Sequence, residues 1–188
     1  MIPTRPPLHP RVERVMGTAV GITVVGDGAE EAVEQAFAWL AWVDETFSTY
    51  REDSQISRLG RGEMSLDDAA PEVRHVLARC DELTAATDGR FSIRPGTPDR
   101  PPLDPSGLVK GWSIDEAGLI LRMAGFDRFM INAGGDVLCS GEPPGRAAWP
   151  IGIRHPLRAD AVAAVVDLHT GAIATSGTYE RGEHIWGL

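Results

Sequence analysis

The chain has 188 residues with 18 Lys and Arg against 27 Asp and Glu, a net charge of −9, and 43% hydrophobic residues. That length is enough to bury a real core, as one large domain or two interlocked lobes. A chain this acidic, with no basic run, lacks the clustered cations that neutralise phosphates, which argues against nucleic acid as a partner. The opening MIPTRPPLHPRVERV has no apolar core of a leader and no spanning stretch, so the expectation is a cytoplasmic protein without a membrane segment.

In chain order, residues 1–14 are Pro-rich and polar and read as a loose arm ahead of a domain over 15–188. MGTAVGITVVG (16–26) puts Thr18, Val20, Ile22 and Val24 on one face at period two, a strand ending at Gly26-Asp27-Gly28. A helix follows over 29–48, with Val33, Ala36, Phe37, Leu40 and Phe47 at helical spacing and Glu30, Glu31 and Glu34 near its positive end. STYREDSQISRLG (48–60) is a polar loop opening a second short segment. The next helix is expected to be capped by Asp67 or Asp68, to tolerate Pro71 near its start, and to bury Val73, Val76, Leu77, Cys80 and Leu83 before TDG (87–89) stops it.

Five prolines make 94–106 irregular, and a further helix is expected from about Ser113 to Gly125, with Ile114, Ala117, Leu121 and Ala124 inward. RFMINAGGDV is a strand broken by a double glycine, and WPIGIRHP, DAVAAVVDLHTG and AIATSG read as three more short strands. Strands, then two helices, then a helix flanked by strands is an α+β arrangement rather than regular βαβ winding. Cys80 and Cys139 have no CxxC spacing and read as buried small hydrophobes of a reducing compartment, with a single disulfide as the alternative.

Lys110, in LDPSGLVKGWSID, is the single lysine beside seventeen arginines. Pro105 and Gly107 shape a turn, Gly107 and Gly111 permit close approach to the backbone, and Ser113 could cap a helix that favours an anion. Lys110 then offers a mobile point charge to a phosphate, unlike the rigid fork of arginine. The plainer alternative is a connection carrying one solvated lysine. NAGGD (132–136) is either a ligand-touching loop or an ordinary tight turn. ATSGTYERGEH (174–184) groups hydroxyls, Tyr179 and His184, which is either a base or a solvated histidine. His9, His75, His155 and His169 make no zinc-type spacing, and no GxGxxG, GxxxxGK[ST] or GxSxG occurs.

MGT (16–18), STYREDSQISRL (48–59), TDGRFS (87–92), DPSGLVKGWSID (104–115), INAGGDV (131–137), WPIGIRHP (149–156) and AIATSGTYERGEHI (172–185) occur in this order. Together they resemble the flavin transferases of the ApbE type, FAD:protein FMN transferases, over residues 15 to 185. The resemblance implies a two-lobed α+β fold with the flavin site in the cleft between lobes. It also implies a reaction: magnesium-dependent cleavage of FAD, transfer of FMN to a threonine hydroxyl of an acceptor flavoprotein, and release of AMP. Met16, Tyr50, Arg90, Phe91, Ser92, Ser106, Lys110 and Trp112 would line the FAD site, with the backbone carbonyl of Val109 reaching Mg²⁺. Asn132, Gly134, Gly135, Asp136, Thr175, Ser176 and Gly177 would form further flavin-side walls, and His184 would be the base for the acceptor threonine.

Two departures from the family pattern bear on the expectation. Ser92 stands where the family usually has Asp. The family also continues past the histidine with a segment whose Asp and Thr complete the magnesium site, and the sequence given ends at Leu188. The alternatives to transfer are an FAD pyrophosphatase giving FMN and AMP, and a non-catalytic FAD-binding protein.

Overall fold

The structure, a computed structural model, describes residues 6–95, 101–158 and 160–175. Its elements in chain order are β1 (Leu8–Val15), β2 (Thr18–Val25), α1 (Glu30–Phe47), α2 (Gln55–Gly60), α3 (Pro71–Ala86), α4 (Ser106–Met123), β3 (Phe129–Ala133), β4 (Asp136–Ser140), β5 (Trp149–Arg154), β6 (Val162–Leu168) and β7 (Gly171–Ile173). They fall into two compact units. One takes in β1 as far as Arg14, Thr18–Gln35 and the described residues from Gly118; the other takes in Val15–Gly17 and the described residues of Ala36–Ala117.

The first unit is built on a sheet of order β1-β2-β3-β4-β7 and a two-stranded sheet β5-β6. Alternation along β2 buries Val20, Ile22 and Val24, and the antiparallel register sets them opposite Ala133, Ile131 and Phe129 of β3. Such opposed apolar pairs on one face are what stabilise a sheet. Leu138 of β4 lies opposite Ile131 on this face, and α4 covers it at Gly118, where a Cβ would come within 2.7 Å of Leu138 Cδ2. The other face offers Val137 and Cys139, which join Val25, Trp149 and Ile151 in a second core. The Trp149 indole N–H donates to the Gly141 carbonyl at 3.0 Å.

Where a loose arm is expected, residues 8–15 form an edge strand instead, and the reason is chemical. Leu8 and Val12 point outward at 47% and 69% exposure, so no apolar alternation marks the strand. Its half-buried face carries His9 and Arg11, and these meet the acidic start of α1: Arg11 donates to Glu34 at 2.6 Å and His9 lies 3.5 Å from Glu30.

The second unit packs α2, α3, most of α1 and the first turns of α4 around Val43, Phe47, Ile56, Val73, Val76, Cys80, Ile93, Leu103 and Val109. The expected stripes of α1 and α3 are the buried ones, with Leu77 and Leu83 of α3 half-buried. Ser54 caps α2 by accepting from the Ser57 N–H at 3.0 Å. The cap of α3 is different from the expectation: Ala70 holds that position with no side-chain bond, and Pro71 needs no N–H partner there. The Ala70 N–H instead donates to Gln55 Oε1, while Asp68 accepts from the Ser65 hydroxyl.

At the C-terminus of α3, Asp88 takes a left-handed φ of 51° and Gly89 N–H reaches back to the Thr84 carbonyl, the stop expected at TDG. Gly125 closes α4 the same way, with φ 91° and a Phe126 N–H to Leu121 carbonyl bond at 3.0 Å.

Both cysteines are free and buried, and burial pushes each thiol up to about 11. A thiol raised in the folded state leaves stability intact below its unfolded value near 8.5 and removes it as pH climbs towards the folded value. Stability is therefore expected to fall between roughly pH 8.5 and 11. At pH 7 a thiol reagent should label Cys80 and Cys139 only once denaturant unfolds the chain; fast labelling of the native protein would contradict this packing.

Candidate functional site

In the second unit, Phe91 of TDGRFS reaches α4 at Gly107 and Met16 of MGT reaches it at Ser113. That helix begins seven residues earlier than the pattern around Ser113 suggests, at Ser106. Asp104 accepts from the Ser106 N–H at 3.1 Å, and the Pro105 carbonyl accepts from Leu108 and Val109, so the Asp-Pro-Ser segment is a helix start rather than a free turn. Ser106 and Lys110 then lie one turn apart on one helix face. Lys110 adds a full positive charge one turn into the helix, close to the positive end of its dipole.

Ser113 is not the cap. It is fully buried inside α4, donating its hydroxyl back to the Lys110 carbonyl at 2.8 Å. The same hydroxyl lies 3.6 Å from Met16 Sδ. Met16 and Gly17 form the turn after β1 with φ of 54° and 70°, a pairing that suits a two-residue hairpin but strains a residue with a side chain.

Phe91 lies over Gly107: a Cβ there would come within 3.2 Å of the ring, so glycine is what lets the two approach. Thr87, at the end of α3, accepts from the Phe91 N–H at 3.0 Å and fixes the start of the Arg90-Phe91-Ser92 stretch. The Ser92 hydroxyl donates to the Arg94 carbonyl and accepts from its N–H, so Ser92 shapes its own turn. Trp112 is half-buried between Trp39 (5.3 Å, edge-on) and Phe47 (5.4 Å, tilted). Tyr50 stands 97% exposed. Its loop is braced by the Arg51–Asp53 fork, both bonds 3.3 Å, which holds the Asp53 carboxyl below the usual carboxylate range.

In the first unit, NAGGD is the β3–β4 turn. Gly134 and Gly135 take φ of 54° and 94°, and Ala133 pairs with Asp136, the geometry of a tight two-residue hairpin. Asn132 accepts from the Gly135 N–H at 3.1 Å. Asp136 Oδ1 accepts from the Thr175 N–H at 2.9 Å, and the Thr175 hydroxyl donates to the Gly135 carbonyl at 3.1 Å. Two motifs forty residues apart are thus joined by paired bonds. Gly134 approaches Thr18 so closely that a Cβ would sit 2.5 Å from Thr18 Oγ1. Ser176, Gly177 and His184 lie outside the described residues.

Asp104, Thr87 and Thr18 stand inside DPSGLVKGWSID, TDGRFS and MGT and shape the site through contacts that their motifs do not announce. Asp104 had a readable signal, a carboxylate two residues before a helix start. The other two act through partners that only folding supplies.

Among the described residues no group of three or more His, Cys, Asp or Glu could hold a metal ion. Val109 has its side chain in the core, and its carbonyl belongs to the first turns of α4. The described residues therefore do not by themselves make a magnesium site.

A family model described as the ApbE family matches residues 16–100 and 97–184. The chain belongs to the ApbE family. It is 23% identical to the FAD:protein FMN transferase of Haemophilus influenzae, over 88% of this chain and 64% of that protein. The Salmonella typhimurium FAD:protein FMN transferase is 24% identical over 89% of this chain and 63% of its own. The chain thus spans a little under two thirds of the length of these curated relatives. Among solved structures it is similar to the ApbE protein of Thermotoga maritima, with TM-score 0.82 and 22% identity over 93% of this chain and 72% of that one. It is also similar to the flavin transferase ApbE from Vibrio cholerae, with TM-score 0.79 and 20% identity over 96% and 75%. These likenesses establish an ApbE-type α+β fold.

Proposed function

We propose that this protein is an FAD:protein FMN transferase. The observation that carries the proposal is the way family motifs scattered through the chain fold into two ordered clusters: Phe91 over Gly107 beside Ser106 and Lys110, and Asp136 tied to Thr175 on the NAGGD hairpin. Tyr50, with its ring in solvent, offers an aromatic face to a planar ligand. Lys110, one turn into α4 and close to the positive end of its dipole, suits a pyrophosphate.

The acceptor threonine oxygen attacks the FMN phosphorus, the bond from that phosphorus to the bridging oxygen breaks, and AMP leaves carrying that oxygen. His184 takes the threonine proton in this scheme. Lys110 offsets charge on the phosphates while the bond breaks. Magnesium would add Lewis-acid stabilisation of the same oxygens when bound. No helix among the described residues is long and apolar enough to cross a membrane. The free cysteines suit a reaction in the cytoplasm.

The test is one incubation with FAD, Mg²⁺ and a small flavoprotein domain carrying an acceptor threonine. AMP is followed by chromatography and the acceptor by intact mass. FMN gained by the acceptor in step with AMP supports transfer. AMP formed without acceptor modification selects hydrolysis of FAD, and FAD binding without AMP selects a binding protein.

Ser113→Ala separates positioning from stability. The Lys110 carbonyl retains its helical N–H partner, so the loss is expected to be about 1 kcal/mol or less, a Tm change under about 4 °C. Met16, no longer packed against the hydroxyl oxygen, should cost FAD affinity about fivefold, because a flexible side chain must then be ordered on binding. Ser113→Thr, which keeps the hydroxyl, should restore most of it.

A further inference from the structure

One cavity shares Trp112 with the expected flavin wall and has no other residue in the flavin-transfer reading. It lies within the second unit, has a volume of about 320 Å³, and is lined by Trp39, Trp112, Pro71, Glu72, His75 and Glu116. We propose that this pocket binds an arginine side chain presented by a polypeptide partner. The inference goes beyond flavin transfer and does not depend on it.

Its walls come from three helices, and each contributes a different part of the recognition. Trp39 of α1 and Trp112 of α4 meet at 5.3 Å with their planes 72° apart, forming an aromatic corner. That corner is held rigid: Trp39 stacks on Trp42 at 5.1 Å, and its indole N–H donates to the Ser113 carbonyl at 3.1 Å. Indole faces attract cations within about 6 Å of the ring centre, arginine more often than lysine.

The carboxylates select the sign of the charge. Glu72, in the first turn of α3, and Glu116, on α4, are both half-buried at the pocket, and neither has a hydrogen-bond or ion-pair partner among the described residues. His75 completes the rim one turn along α3 from Glu72. The nearest arginine further along that helix face, Arg79, is already committed to Glu82. Two carboxylates without partners among the described residues, beside an edge-to-face pair of indoles, leave a negative, aromatic recess on a chain of net charge −9.

A phosphate is excluded from such a recess by like-charge repulsion, so it does not suit the pyrophosphate of FAD. A planar guanidinium fits both halves, stacking on a ring while its fork donates to a carboxylate. Arginine is also the charged residue most enriched at protein interfaces, where it combines those contacts with low hydration. Pro71 adds a rigid apolar wall at the helix start.

The experiment titrates the ¹⁵N-labelled chain, without flavin, with acetyl-Gly-Arg-Gly-amide at constant ionic strength, reading the indole N–H signals of Trp39 and Trp112. The same peptide with citrulline in place of arginine keeps the shape and removes the charge. Saturating shifts of both indoles at millimolar peptide or below, with the citrulline peptide at least tenfold weaker, are expected. E72Q/E116Q should weaken the arginine peptide at least tenfold while its circular dichroism stays that of the parent. Equal binding of the citrulline peptide, or undiminished binding to E72Q/E116Q, overturns the proposal, as does the absence of indole shifts at 10 mM. Agmatine binding tenfold tighter than the peptide would overturn the polypeptide source. Displacement of the peptide by FAD would assign the pocket to the flavin site instead.

Discussion

Lys110→Ala is expected to weaken FAD binding by about 10- to 100-fold, the loss of one hydrogen-bonded charge contact of roughly 1.5–3 kcal/mol. The prediction rests on where the lysine stands. It is four residues beyond Ser106 on a helix whose start is fixed by Asp104, Pro105 and the overlying Phe91, so its charge is delivered to one place. Lys110→Arg should recover only part of the affinity, because the guanidinium spreads its charge over a fork that a loop-sized phosphate site was not shaped for. Flavin fluorescence quenching gives the Kd of each variant, and thermal unfolding shows whether the fold is intact. A Kd unchanged in Lys110→Ala, with an unchanged melting curve, would remove Lys110 from the proposed site while leaving the family membership untouched.

The second large effect is expected at Gly134. Alanine there must hold a φ of 54°, which costs about 1–2 kcal/mol for a residue with a Cβ. Its methyl would also sit 2.5 Å from Thr18 Oγ1, and such overpacking costs about 1–3 kcal/mol. Gly134→Ala should therefore destabilise the chain by about 2–5 kcal/mol in urea unfolding. Thr18→Ala removes the atom nearest the clash. In the double variant the contact part should be recovered and the backbone part should remain, a coupling of about 1–3 kcal/mol. Additive losses would show that the hairpin moves aside and that the close approach carries no energy. Because the same hairpin positions Asn132 and Asp136, Gly134→Ala should also loosen the tie to Thr175.

Both predictions touch residues that were marked in the sequence, but for reasons that were only partly right. Lys110 was conspicuous as the single lysine among arginines, and the Asp-Pro-Ser-Gly run before it suggested a turn. The two glycines at 107 and 111 lower helix propensity by about 1 kcal/mol each relative to alanine, which hid the true helix start. Phe91 decides the matter at Gly107, and it reaches that position from another part of the chain. The NAGGD stretch was legible as a turn because Gly-Gly between strands suits a two-residue hairpin. That Asp136 would use its carboxylate to hold Thr175, thirty-nine residues on, was not legible.

What the sequence determined by itself was local. Period-two burial along β2, the apolar stripes of α1 and α3, and the stops at Asp88-Gly89 and Gly125 follow from side-chain spacing and from which residues tolerate left-handed φ. The ordered motifs also carried the ApbE family on their own. What only the tertiary structure decided was non-local. The edge strand β1 has no apolar alternation of its own and is held by β2 and by carboxylates of α1. Ser113 is a buried link between Lys110 and Met16 rather than a cap, because α4 begins a full seven residues before it. Hydrogen-bond partners and packing neighbours far apart in the chain leave no periodic mark on either segment, so they become readable only once the chain has brought them together.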